Sequence, residues 1–165
     1  MLINPTIRID LSAQRLDLLE GARLIASYPV STSKYGAGEL RGSHKTPRGR
    51  HVIRAKIGDG QPRGAVFVGR RPTGEIYSES LACAYPGRDW ILTRIMWLSG
   101  LDIGINRLGA VDTMRRYIYI HGTPDSVALG EPGSIGCIRM ANDALLELFD
   151  LVPTGTVVDI VESPA

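Results

Sequence analysis

Among the side chains of this 165-residue chain, His121 and Cys137 together could act as a base and a nucleophile. Both lie in the stretch Tyr117 to Met140, YIYIHGTPDSVALGEPGSIGCIRM. A free thiol, with a pKa of about 8.5, is mostly protonated at neutral pH, so a cysteine needs a neighbouring group to activate it. His121 is the nearest candidate. The chemistry that such a pair offers is nucleophilic catalysis through a covalent intermediate. Gly136, just before the thiol, permits a backbone in which the N–H groups of Gly136 and Cys137 point at one oxygen, as an oxyanion hole requires. Arg139, two residues beyond, carries a fork that could hold a carboxylate; it could equally cap a carbonyl or pair with Asp143. Ser134 suits side-chain to backbone bonds that fix the loop.

These residues need elements to position them. Tyr117-Ile118-Tyr119-Ile120 is β-branched and aromatic, which predicts a strand delivering His121 to its end. Gly122, Pro124, Gly130, Pro132 and Gly133 predict a loop leading to Ser134-Ile135-Gly136-Cys137. Upstream, Thr6 to Leu11 alternates, which puts Ile7, Ile9 and Leu11 on one strand face. Turns at Ser12-Ala13-Gln14 and Glu20-Gly21 then divide three short antiparallel strands, the third running from Leu24 to Val30. Residues 31–46 read as a long polar loop, ending in Lys45-Thr46-Pro47-Arg48-Gly49 before a strand from Arg50 to Ile57. Val66-Phe67-Val68-Gly69 is another short strand. Ile91 to Leu98 fits a strand by its β-branched and aromatic content, although its apolar spacing also permits a helix. One clear helix follows the cysteine, capped by Asn142 or Asp143, with Leu145, Leu146, Leu148 and Phe149 at helical spacing and Pro153-Thr154-Gly155 as its stop. Thr156 to Val161 is a closing strand. The expected fold is mostly β, a single-domain sandwich or barrel of short mixed strands with that one helix.

Composition bounds the function. Hydrophobic residues at 44% and charged residues at 22% exclude disorder as the main state. The formal charge of +2 is too small, and the basic residues too scattered, to argue for nucleic acid. No apolar run approaches the ~20 residues that a transmembrane helix needs. The N-terminus lacks a basic, apolar and small-residue succession, so no signal peptide is visible, and the chain reads as cytoplasmic, trimmed or exported by another route. Two cysteines imply no disulfide framework, and Cys83 reads as a small buried apolar residue. His44 and His51 read as exposed.

The pair His121-Gly122 and the run Ser134-Ile135-Gly136-Cys137-Ile138-Arg139 resemble the signature of the L,D-transpeptidase (YkuD-type) catalytic domain. Asp10 to Leu16, Tyr28 to Thr32, Lys45 to Gly49 and Val152 to Val158 resemble further parts of that family in order. The resemblance covers the chain as one domain, 1–165, with 70–113 as a divergent or enlarged middle. It implies a β-sandwich enzyme of peptidoglycan and cell-wall biogenesis, with a role in cell shape. Cys137 would be the nucleophile and His121 the general base, with Gly136 and Cys137 at the oxyanion and Arg139, Ser134 and Gly122 around the substrate. Partners would be peptidoglycan stem peptides and carbapenem-type inhibitors; no metal or organic cofactor is implied. The reaction would form 3→3 crosslinks or attach an acceptor, and transfer to water would make it an L,D-carboxypeptidase. Such a function implies the cell envelope or periplasm. Ile135 stands where the family usually has histidine, which leaves three outcomes open: an unchanged site, a slower one, or a weakened peptidoglycan-binding domain.

Overall fold

Alternating apolar residues along short strands can bury one face only if the sheet closes on itself or stacks on another layer. In the computed structural model, which describes residues 2–164, the sheet closes. Its strands are β1 (Pro5–Asp10), β2 (Arg15–Glu20), β3 (Arg23–Ser31), β4 (Gly49–Ile57), β5 (Ala65–Val68), β6 (Arg71–Ile76), β7 (Ile91–Gly100), β8 (Tyr119–Gly122), β9 (Ile138–Met140) and β10 (Val157–Val161). The order β4-β10-β1-β2-β3-β9-β8-β7 becomes a ring because β7 also pairs with β4. The β5–β6 hairpin hangs off the start of β7, through Val66 opposite Leu92.

The ring encloses the main core. Ile7 and Ile9 of β1, Leu16 and Leu18 of β2, Ile120 of β8 and Ile138 of β9 are all buried in it. α2 (Asn142–Leu151) adds Leu145, Leu148 and Phe149 to the same core. A smaller cluster lies on the other side of β7 and β8, where Ala65 and Phe67 of the hairpin cover Ile95 and Tyr119. The hairpin thus roofs the outer face of these strands. Cys137 packs against that second cluster.

The mostly β fold, the three-stranded antiparallel opening and the strand reading of Ile91 to Leu98 all hold. Several local expectations do not. Tyr117 lies outside the strand; it ends a 3-10 turn in the left-handed region (φ 57) and is exposed. A second, short helix, α1 (Glu79–Ala84), is present, with Ser78 Oγ accepting from Leu81 N–H as its cap. It buries none of its residues, so no apolar periodicity marks it. Cys83, on this helix, is exposed rather than buried. Neither Asn142 nor Asp143 caps α2; Ala141 is the N-cap and makes no side-chain bond. His51 is fully buried, its ring nitrogens on Gly49 O and Thr113 Oγ1, both at 2.9 Å. His44 is exposed, as expected.

Asn142 serves instead as a buried tie between elements. Its Oδ1 accepts from Thr93 Oγ1 at 2.6 Å, and its Nδ2 donates to Thr123 O at 2.9 Å. Thr93 sits at an irregularity in β7 with φ 75, a strained value for a β-branched residue, and its hydroxyl also accepts from Gly64 N–H at 3.0 Å. One network therefore joins β7, the hairpin, α2 and the end of β8. It sets the strand that carries His121.

Candidate active site

β8 and β9 run parallel, with Ile120 opposite Ile138 and His121 opposite Arg139. Side chains alternate across a sheet, so Ile118, Ile120, Ile138 and Met140 face the main core. Tyr119, His121, Cys137 and Arg139 face the other way. Cys137 is level with Tyr119, one residue before β9, and His121 lies two residues further along the neighbouring strand. The pair are diagonal neighbours on one face.

The loop that carries Cys137 is held from two sides. Gly133 and Ser134 donate their N–H groups to Thr32 O, each at 2.9 Å, and Lys34 N–H donates to Ser134 O at 2.9 Å. From the other side, Thr46 Oγ1 donates to Gly136 O at 2.9 Å. Gly136 has φ 132, and a Cβ there would press on Ile118 Cδ1 at 3.3 Å. Only glycine meets both conditions without strain. Ser134 Oγ donates to Cys137 O at 2.6 Å and accepts from Gly136 N–H at 3.2 Å. Ser134 thus fixes the loop, as its residue type suggested.

The thiol has two polar neighbours. Tyr119 N–H donates to Cys137 Sγ at 3.3 Å, and Sγ–H donates to Tyr117 O at 3.3 Å. Burial pushes the thiol up to about 12, against the opposing pull of Tyr119 N–H; Asp89 raises it further, while Arg139 and Arg116 lower it. Burial likewise lowers His121, opposed by its bond to Gly122 O. Asp89 and Arg139 act on both groups, a sign that thiol and imidazole share one electrostatic environment. The resting pair is therefore a neutral thiol and a neutral imidazole. His121 Nδ1 lies 2.7 Å from Gly122 O, and a carbonyl only accepts, so Nδ1 carries the proton and Nε2 is left as the basic nitrogen.

Cys137 opens on a cavity of about 490 Å³ bordered by His44, Arg70, Asp89, Arg116, Tyr117 and Ile135. Three contributions come from residues that the sequence reading left aside. Arg70, at the tip of the β5–β6 hairpin, donates to Tyr119 Oη at 3.0 Å. Arg116 donates to Gly38 O at 3.2 Å and to Lys45 O at 2.5 Å, tying the 38–45 loop to the cavity wall. Asp89 reaches the site from the segment before β7. None of the three stands in a local motif, so only their positive or negative charge could have marked them.

Expectations about five site residues are adjusted. Ser134 is buried and its hydroxyl is committed to the loop, so it does not line the cavity. Gly122 is buried too; a Cβ there would collide with Asn142 Oδ1 and stand 2.6 Å from Leu92 O, so its smallness serves packing. The Gly136 N–H is already spent on Ser134 Oγ. Arg139 caps a carbonyl, Gly133 O at 3.1 Å, as one of its alternatives had it, but its acidic partner is Asp89 at 3.5 Å and not Asp143, which pairs with Arg63. Ile135 is 49% exposed at the cavity border rather than packed inward.

A family model, YkuD, the L,D-transpeptidase catalytic domain, matches residues 4–160. A Bacillus licheniformis protein named as an L,D-transpeptidase, YkuD, is 29% identical over 154 residues, covering 93% of this chain and 64% of that protein. Among solved structures, the Ldtfm–avibactam carbamoyl enzyme superposes with a TM-score of 0.59 at 17% identity, covering 99% of this chain and 51% of that one. LdtMt1 in complex with imipenem gives 0.57 at 20% identity, covering 96% and 59%. The chain thus spans a little under two thirds of that relative and just over half of those structures.

Proposed function

The chain belongs to the L,D-transpeptidase catalytic domain family, YkuD, and from that premise we propose that it is a cysteine acyltransferase acting on peptidoglycan stem tetrapeptides. The observation that carries this reading is the placement of Cys137 and His121 on one outward face of adjacent parallel strands, with the thiol open to a peptide-sized cavity.

In this reading Nε2 of His121 takes the thiol proton as Sγ attacks the amide carbonyl between the L-centre of meso-diaminopimelate and the terminal D-Ala. Because the resting thiol is held protonated, proton transfer accompanies attack rather than preceding it. The N–H of Cys137 is the oxyanion donor that the hydrogen bonding leaves available; Gly136 contributes its backbone conformation. His121 then returns the proton to the leaving amine, and D-Ala departs from a thioester. An amine of a second stem resolves the thioester into a new amide, giving a 3→3 crosslink or an attached acceptor. Arg139 orients the loop through Gly133 and balances Asp89 beside the reacting pair. Stem peptides lie in the cell envelope, and that is where the activity would be exercised.

The test is intact-mass spectrometry after exposure to a carbapenem, followed by incubation with a tetrapeptide muropeptide. A covalent adduct on Cys137 and a crosslinked dimer are expected. A folded protein that alkylates at Cys137 but takes no carbapenem and consumes no tetrapeptide would overturn the reading, and tripeptide without dimer would replace transfer by hydrolysis.

A further inference from the structure

Arg70 occupies a position that costs backbone freedom. Val68 and Arg71 pair across the hairpin, and between them Gly69 and Arg70 have φ 56 and φ 65. Two left-handed residues in a row make the tight turn that favours glycine or asparagine at the second place. An arginine there is unusual, and its side chain shows what it is held for. The guanidinium carbon lies 4.7 Å from the centre of the Trp97 ring and 5.0 Å from that of Tyr117, with one nitrogen on Tyr119 Oη at 3.0 Å. Three aromatic residues hold the cation in place.

What it lacks is an anion. Arg48, Arg63, Arg88 and Arg139 each reach a carboxylate. Arg116, the other cation on the same cavity, is spent on backbone carbonyls. Among the described residues Arg70 has no carboxylate partner, and it borders the cavity on which Cys137 opens. A guanidinium that is stacked, oriented and without an acid is a prepared receptor for a carboxylate.

Tyr119 links the guanidinium to the thiol. Its backbone N–H meets the thiol sulfur and its hydroxyl meets the guanidinium. We propose that Arg70 binds the free carboxylate of the residue leaving on the far side of the scissile amide, so that the enzyme selects donors ending there. This rests on the reading of Cys137 as the nucleophile.

Two tetrapeptide donors test it, one with a free C-terminal carboxylate and one with a C-terminal amide. Their kcat/KM is compared in the wild-type protein, Arg70→Gln and Arg70→Lys, with iodoacetamide alkylation of Cys137 as a control for fold and thiol. The wild type should prefer the free acid by about tenfold or more, the scale of one charged hydrogen bond. Arg70→Gln should bring the ratio near one by slowing only the acid, Arg70→Lys should keep an intermediate preference, and alkylation should not change. Equal rates for both donors in the wild type, an unchanged preference in Arg70→Gln, or equal slowing of both donors would each overturn the role of Arg70 while leaving the nucleophile intact. Loss of all turnover in the wild type would instead remove the acyltransferase reading itself.

Discussion

Two faces of one strand pair divide the work of this molecule. Ile120 and Ile138 point into the ring and meet the main core, while His121, Cys137 and Arg139, their chain neighbours, point out beneath the hairpin. The inner face is uniformly apolar and buried. The outer face mixes a thiol, an imidazole, a guanidinium and tyrosine, each with its own polar partner. A shift of one residue in the register of β9 would exchange the faces, which explains why the cysteine loop is tied down at Thr32 and Thr46.

The sharpest way to break this division is Cys137→Ala. It should abolish the carbapenem adduct and all turnover, yet change unfolding stability by no more than about 1 kcal/mol; a large loss of stability would mean that the thiol is core after all. Ile120→Ala is the converse. Chemical denaturation should show a loss of about 2–5 kcal/mol, typical of a cavity in a buried core, and the remaining folded protein should still alkylate at Cys137.

Acid should separate the faces by readout. His51, on the same side of β4 as Ile53, is lowered from 6.5 to about 4 by burial. Above pH 6.5 both folded and unfolded states carry it neutral, so its contribution to stability is fully present. As pH falls from 6.5 towards 4 the unfolded state gains the proton and the folded state does not, and stability should drop by about 3 kcal/mol in denaturant titrations. His121 is lowered as well, so the acid limb of acylation should fall below pH 6.5, and the rate should be flat from neutral to mildly alkaline pH because the thiol titrates far higher. An acid limb above pH 7 would contradict the neutral resting pair. The smallest effect is expected from Ile135→His, a severalfold rise in acylation rate; an unchanged or lower rate would show that this exposed border position does not polarise the thiol.

Much of this could be read along the chain. The alternation of Thr6 to Leu11, the β-branched run from Ile91, the glycines around Ser134 and the leucine spacing after Asn142 are local signals, and each produced the element expected of it. Tyr117 and Cys83 misled for opposite reasons. An aromatic before a β-branched run looks like strand whichever way the preceding turn directs it, and a cysteine among alanines looks buried whether or not its helix has anything to pack on. His51 carries no local mark of burial; its partner Thr113 is 62 residues away.

The sequence by itself determined most of the strands, the candidate nucleophile and base as residue types, and the glycine that shapes the loop before the thiol, because these depend on side-chain alternation and backbone freedom within a few residues. Only the tertiary structure decided that Asp89, Arg116 and Arg70 share a cavity with Cys137, and that Arg139 is already engaged. Charge and hydrogen bonding act across space, and closing the ring of strands is what brings those distant residues within reach of one another.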